Sequence, residues 1–217
     1  EDVQALAVKT VSLFDGNQHR GLARIQAAVT LFEADTGRPI ALLDGGALTA
    51  IRTAAAPGLA TDLLARKDAR QLAVFGAGVQ SRQQVLAMCQ VRPVDMVRLF
   101  TPTRAKADVL IADMKRQFPE ICWEVADSPR EAVREADIIC CASTAKQPVF
   151  SDGDVRPGTH INAIGSFQPE VAEVPVETVC RARIYVDSVE AAWEEAGDLI
   201  QPLRSGHIDR EHLVGEL

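Results

Sequence analysis

Residues Gln71–Ser81 read QLAVFGAGVQS, and this stretch decides the fold. The apolar run Leu72–Phe75 leads into Gly76-x-Gly78-x-x-Ser81, and helix-compatible sequence follows. A strand that turns sharply into a helix suits a dinucleotide pyrophosphate. Gly76 permits the tight turn, Gly78 has no Cβ to keep backbone from the phosphates, and small Ser81 lets the helix pack close to the strand. The N–H groups of the helix's first turn then face the negative charge. A bare glycine pattern describes any glycine-rich βα turn; the flanking strand and helix lift this one above that.

Outward from the turn, the chain alternates. Predicted strands are Leu72–Phe75, Met96–Phe100, Cys122–Val125, Ile138–Ala142, His160–Ile164 and Arg183–Val186. Predicted helices are Arg82–Cys89, Arg104–Gln117, Pro129–Glu135, Pro175–Arg181 and Val189–Ala196. Such alternation with short connections predicts an α/β, Rossmann-type, doubly wound parallel sheet over residues 61–217. A dinucleotide lies across the C-terminal strand ends of such a sheet, near the reversal of strand order.

Residues 1–60 read as a second, smaller α+β region. Its apolar runs (Ala5–Phe14, Ile25–Phe32, Ile40–Leu43) are broken by turn signals at Asp15-Gly16-Asn17, Asp35-Thr36-Gly37 and Asp44-Gly45-Gly46. Ala27–Glu33 and Pro39–Leu43 predict a β-hairpin. Ala-rich Leu48–Ala65 predicts a helix that Pro57-Gly58 kinks or divides.

With 47% hydrophobic and 24% charged residues, the composition is that of an ordinary globular protein. A net charge of −7 argues against nucleic acid or an anionic membrane as the main partner. No apolar run is long enough for a membrane span. The start, Glu1-Asp2-Val3, has neither a Met nor a signal pattern, so the chain is expected to begin inside a longer protein. The five cysteines form no CxxC pair and predict reduced, buried thiols in a cytoplasmic protein. The four histidines lack metal-ligand spacing, and no metal is assigned.

Enzymes that use NAD place Asp or Glu at the end of the second strand, on the adenosine ribose. Here that position, about 25 residues after Gly76, is Thr101. A carboxylate there would repel a 2′-phosphate. Its absence, with Thr103 and Arg104 able to donate hydrogen bonds and charge, favours NADP(H) over NAD(H). The plainer reading makes Thr103 a helix cap and Arg104 a solvated first-turn residue. In the smaller region, Lys9 sits inside the strand-like run Ala7–Ser12, and Arg52 inside the apolar helix. Lys and Arg are rarely buried without an anionic partner, so each reads as an anion ligand, or as a snorkelling side chain or structural ion pair.

At these motifs the sequence resembles the ornithine cyclodeaminase/μ-crystallin family. The matching segments are VKTVSLFDGN (8–17), TGRPIALLDGGALTAIRTAA (36–55), FGAGVQSR (75–82) and GTHINAIGSFQPEVAEV (158–174). The resemblance implies an NAD(P)-binding Rossmann domain beside a substrate-binding and dimerisation domain, and hence a homodimer. It implies that Lys9 and Arg52 bind the carboxylate of an imino or amino acid, with Lys9 able to supply a proton. Val79 and Gln80 would touch the pyrophosphate. Thr144 and Ala163, Ile164, Gly165 and Ser166 would line the nicotinamide side.

Two departures refine the expectation. Cyclodeaminases carry an Asp where this chain has Phe167, which cannot activate water or take a proton. The Gly165-Ser166-Phe167-x-Pro169-x-x-Ala172-Glu173 pattern, with Glu195-Ala196-Gly197-Asp198-Leu199, looks more like the cyclic ketimine reductases. The implied activity is reduction of Δ1-pyrroline-2-carboxylate or Δ1-piperideine-2-carboxylate to L-proline or L-pipecolate. An ornithine cyclodeaminase and a μ-crystallin-like NADPH-dependent binding protein are the other readings. As a substitute base, Glu170, Glu173 and Asp187 are near in sequence, but all three read as solvated. The family's leading segment, with a further carboxylate-binding Arg, and its closing segment are expected to be missing from this chain.

Overall fold

The computed structural model describes residues 5–23 and 25–217. It contains two compact units, residues 1–53 and 54–217. Among the described residues, no helix is long and apolar enough to cross a membrane.

The first unit is built on an antiparallel sheet of β1 (Leu6–Leu13), β2 (Ile25–Phe32) and β3 (Pro39–Asp44), in that spatial order. A 3-10 turn, Asp15–Arg20, lies between β1 and β2. The β2–β3 hairpin closes where Asp35-Thr36-Gly37 predicts it. Gly37 takes φ +68° and donates its N–H to Glu33 O at 2.9 Å. Asp44-Gly45-Gly46 is no turn but a helix start. The carboxylate of Asp44 accepts the N–H groups of Gly46 (2.8 Å) and Ala47 (3.0 Å), capping α1 (Gly45–Leu64). A Cβ on Gly45 would stand 2.7 Å from the Ala27 methyl, so only glycine lets the helix begin this close to β2. Leu6, Val8, Val11, Leu13 and Leu42 of this sheet are exposed.

Pro57-Gly58 does not divide α1, which runs unbroken through both residues. Proline costs a helix one hydrogen bond and a clash with the preceding turn. Burial offsets that cost: Ala54, Pro57, Gly58, Thr61 and Ala65 make a stripe of small buried residues at helical spacing. A Cβ on Gly58 would meet the Ala87 methyl at 3.4 Å, ordinary contact distance, so the stripe packs closely there.

The second unit holds a five-stranded parallel sheet in the order β6 (Cys122–Val125), β5 (Met96–Phe100), β4 (Gln71–Phe75), β7 (Ile138–Cys141), β8 (His160–Ala163). The order reverses at β4, whose neighbours are β5 and β7. Five of the six sequence-predicted strands form this doubly wound sheet; the sixth, predicted over Arg183–Val186, lies outside it in a two-stranded sheet, paired with a strand near the end of the chain. Its helices are α2 (Val79–Val91), α3 (Arg104–Gln117), α4 (Pro129–Val133), α5 (Val176–Arg181) and α6 (Val189–Glu195). Leu72, Val74, Val97, Leu99 and Cys140 pack into one core layer, and Ala73, Phe75, Ile139 and Cys141 into another. Neighbouring Cys140 and Cys141 thus point to opposite faces of β7, as strand alternation requires. All five cysteines are free, and Cys140 and Cys141 are buried. Burial pushes the Cys140 thiol up to about 12 and that of Cys141 well above its ordinary range.

Two elements escaped the sequence reading. α7 (Gly197–Arg204) is short and contains Pro202. β10 (Leu213–Glu216) contains Gly215 and pairs in parallel with β9 (Ile184–Val186). Neither has the local propensity to announce itself; partners distant in sequence hold both in place.

Candidate functional site

The site begins at the turn from β4 to α2. Gly76 has φ +105°, a backbone state that L side chains rarely adopt. Its N–H donates to Phe100 O (2.9 Å), and a Cβ there would lie 2.4 Å from Ala142 O. Around Gly78, by contrast, a Cβ would meet nothing within 4 Å. Open space at Gly78 is what a polyanion needs to approach the chain. Ser81 is fully buried, and its Oγ accepts the Gly78 N–H at 3.3 Å. The helix starts at Val79, earlier than the predicted Arg82, so Val79, Gln80 and Ser81 form its first turn. Val79 is exposed, while Gln80 Oε1 is buried without a hydrogen-bond partner among the described residues.

Thr101 follows β5 directly and is half-buried. Thr103 takes the N-cap position of α3, yet its side chain makes no capping hydrogen bond. Arg104 is exposed, and its Nη1 donates to Asp127 Oδ1 at 2.6 Å. Asp127 stands just past β6, so one guanidinium nitrogen already faces a carboxylate.

At the ends of β7 and β8, Thr144 and Ala163 are exposed, Ile164 and Gly165 are half-buried, and Ser166 is buried. Phe167 is 66% exposed. Glu173, read from sequence as a solvated loop residue, is fully buried. It accepts the Ser143 N–H (2.8 Å), the Ser143 hydroxyl and the Gly165 N–H (2.7 Å). Asp198 is buried as well, and it accepts the Ser166 hydroxyl. Burial raises the pKa of both carboxyls, while the hydrogen bonds pull the other way. The signal for Glu173 was its setting, a lone carboxylate between Val171-Ala172 and Val174.

In the first unit, Lys9 and Arg52 are both exposed, so neither is the buried cation that its apolar surroundings imply. The hydrophobic runs mislead here because apolar side chains of this sheet are themselves exposed. Lys9 Nζ donates to Thr49 Oγ1 of α1 at 2.7 Å. Arg52 lies three residues beyond Thr49, on the same side of the helix, and forms no hydrogen bond or ion pair among the described residues. Lys9 thus contacts the helix one turn before the position of Arg52.

A model of the ornithine cyclodeaminase/mu-crystallin family matches residues 1–217. The Δ1-pyrroline-2-carboxylate reductase of Bacillus cereus is 38% identical over 218 residues, covering 100% of this chain and 66% of that protein. Among solved structures, Δ1-pyrroline-2-carboxylate reductase of Thermococcus litoralis, in complex with NADH and L-proline, aligns with a TM-score of 0.91. The identity is 40%, over 98% of this chain and 65% of that one. An archaeal alanine dehydrogenase dimer with bound NAD aligns with a TM-score of 0.89 at 30% identity, over 98% of this chain and 65% of that one. The chain spans 66% of the length of the curated relative. The match runs unbroken from the cation-bearing strand through the glycine turn to the last residue, and the chain belongs to the ornithine cyclodeaminase/mu-crystallin family.

Proposed function

We propose that the chain is part of an NADPH-dependent reductase of cyclic ketimine carboxylates, converting Δ1-pyrroline-2-carboxylate or Δ1-piperideine-2-carboxylate to L-proline or L-pipecolate. The observation that carries this reading is the whole-chain similarity, at 38% and 40% identity, to two Δ1-pyrroline-2-carboxylate reductases. The relative solved with NADH and L-proline supports a nicotinamide dinucleotide as cofactor and a small cyclic acid as substrate.

Residues 54–217 would hold the cofactor. The open backbone at Gly78 and the first turn of α2 (Val79, Gln80, Ser81) fit the pyrophosphate, and Gly76 holds the turn. Thr101, Thr103 and Arg104 face the adenosine ribose. With no carboxylate on Thr101 a 2′-phosphate meets no repulsion from this strand end, which favours NADP(H), while Asp127 draws off part of the Arg104 charge. Thr144 and the run Ala163, Ile164, Gly165 and Ser166 line the nicotinamide side. When bound, the reduced dinucleotide supplies a hydride to the C=N carbon.

The first unit would bind the substrate and mediate dimerisation, for which its exposed apolar sheet is suited. Arg52 and Lys9 hold the carboxylate. A protonated imine is already electrophilic, so the protein's task is orientation and exclusion of water, with Lys9 able to keep the imine nitrogen protonated. Cyclodeamination fits less well. Phe167 offers no base, and Glu173 is walled in by three hydrogen bonds.

The test is NADPH consumption with pyrroline- and piperideine-2-carboxylate. Turnover with either supports the reading. Ammonia release from ornithine without added NADPH would replace it with a cyclodeaminase. NADPH-dependent ligand binding with no oxidation of NADPH would replace it with a binding protein.

A further inference from the structure

Two buried carboxylates tie together the chain ends that leave β7 and β8. Oε1 of Glu173 takes the backbone and hydroxyl donors of Ser143, just beyond β7; Oε2 takes the N–H of Gly165, just beyond β8. One side chain thereby continues the strand pair past its last ladder bond, Ile164 N–H to Cys141 O at 3.0 Å. Asp198, in the first turn of α7, holds the holder. Its Oδ1 accepts the N–H groups of Glu173 (2.8 Å) and Val174 (2.9 Å), and its Oδ2 accepts the Ser166 hydroxyl.

The fit leaves no slack. A Cβ on Gly165 would lie 2.2 Å from Glu173 Oε2, and one on Gly197 would lie 1.9 Å from Val171 O. On the other side, the Gly76 turn presses against Ala142, the residue before Ser143. The glycine turn, both strand exits and α7 are thus one connected piece.

Such a pair is expensive. Two neighbouring carboxylates, with no cationic partner among the described residues, are removed from water, and Cys141 is buried beside them. An apolar pair of similar volume would serve stability at least as well. What carboxylates add is direction: each oxygen fixes named N–H and O–H groups.

In a doubly wound sheet the adenosine half lies over the strand after the glycine turn, here β5, so the second nucleotide falls over β7 and β8. We infer that Glu173 and Asp198 are positioning residues, which lock Ser143–Thr144 and Ala163–Ser166 into one rigid floor beneath the nicotinamide half of the cofactor. The inference rests on the dinucleotide reading given above. Neither carboxylate touches the reacting atoms in this role.

Glu173→Gln tests it. An amide has one acceptor oxygen, so its NH2 must face the donors of either Ser143 or Gly165. Calorimetric titration would compare NADPH and NADH with two probes of the adenosine half alone, ADP and adenosine 2′,5′-bisphosphate. Expected is a fall of about tenfold in dinucleotide affinity, the worth of one hydrogen bond to a charged group, with the half-probes bound as in the wild type. Asp198→Asn should act in the same direction. Ser143→Ala removes one hydroxyl only; it should weaken dinucleotide binding about threefold, and it carries the test if the carboxylate variants fail to fold. Equal losses for dinucleotides and half-probes, or no loss for either, would overturn the positioning role and leave the cofactor reading standing. A wild-type protein that binds neither dinucleotide would overturn both.

Discussion

Lys9 Nζ in β1 donates a 2.7 Å hydrogen bond to Thr49 Oγ1 in α1, and that hydroxyl donates in turn to Gly45 O at 2.7 Å. The ammonium is therefore anchored on α1, one turn before the position of Arg52. Arg52→Ala should raise KM for a ketimine carboxylate roughly 10- to 100-fold with a smaller change in kcat, as loss of a charged carboxylate ligand does. Thr49→Val should raise KM less, by about threefold, because Lys9 keeps its charge and loses only its anchor. Steady-state kinetics with pyrroline-2-carboxylate decide the matter, and an unchanged kcat/KM in Arg52→Ala would remove this residue from the substrate site.

Cofactor choice should turn on the end of β5. Thr101→Asp places a carboxylate where a 2′-phosphate would lie, and the ratio of kcat/KM for NADPH over NADH should drop at least about tenfold. Asp127→Asn should move the ratio the other way, because Arg104 loses its carboxylate partner. Ratios that stay put in both variants would place the ribose elsewhere.

The two glycines of the turn should separate stability from binding. Gly76→Ala forces a side chain into φ +105° and to 2.4 Å from Ala142 O, and should cost about 3 kcal/mol or more of folding stability. Gly78→Ala meets open space and should cost less than about 1 kcal/mol, while dinucleotide affinity falls as the methyl enters the anion's path. Urea denaturation and nucleotide titration on both variants measure the two effects. Equal destabilisation would contradict the geometry.

Arg92 closes the C-terminal end of α1. Its buried guanidinium donates to Thr61 O, Asp62 O, Ala65 O and Arg66 O. These include helix carbonyls with no partner inside the helix. Arg92→Met should lower stability by about 2 kcal/mol, because the buried Ala65 carbonyl loses its donor and the Asp62 carboxylate loses a partner, while Thr61 O, Asp62 O and Arg66 O keep the Ala65 N–H, Lys67 Nζ and the Ala69 N–H. Arg92→Lys should recover part of this only, since a single ammonium cannot span the same acceptors. Denaturant midpoints test the order Arg, Lys, Met.

The buried carboxyls predict a pH effect of definite sign. Burial raises the pKa of Glu173 and of Asp198 above 4.5 and 3.8, their ordinary values. Between the ordinary and the raised value the folded chain binds more protons than the unfolded chain. Stability from these groups is therefore fully present below the ordinary value and is lost as pH rises through the raised one. In Glu173→Gln that contribution disappears, and stability should fall less steeply with rising pH over this window. Asp198 and Cys141 face Glu173 and remain in the variant. Denaturation at a series of pH values rising from below the ordinary carboxyl values supplies the comparison, and parallel curves for wild type and variant would count against a raised Glu173.

Sequence by itself determined the parallel sheet, its βα alternation, the hairpin and the glycine turn. Each is written in local signals: apolar runs of strand length, helix-compatible stretches between them, turn signals, and glycines where a backbone must turn or lie bare. Tertiary structure alone decided the rest. Pro57 breaks isolated helices, and only the buried stripe around it keeps α1 whole. Glu173 and Asp198 look like surface acids, for a carboxylate's burial depends on donors such as Ser143 and Gly165 that the chain brings up from elsewhere. Lys9 and Arg52 look buried among apolar neighbours, yet exposure is fixed by what packs against a strand or helix, and no window of sequence contains that.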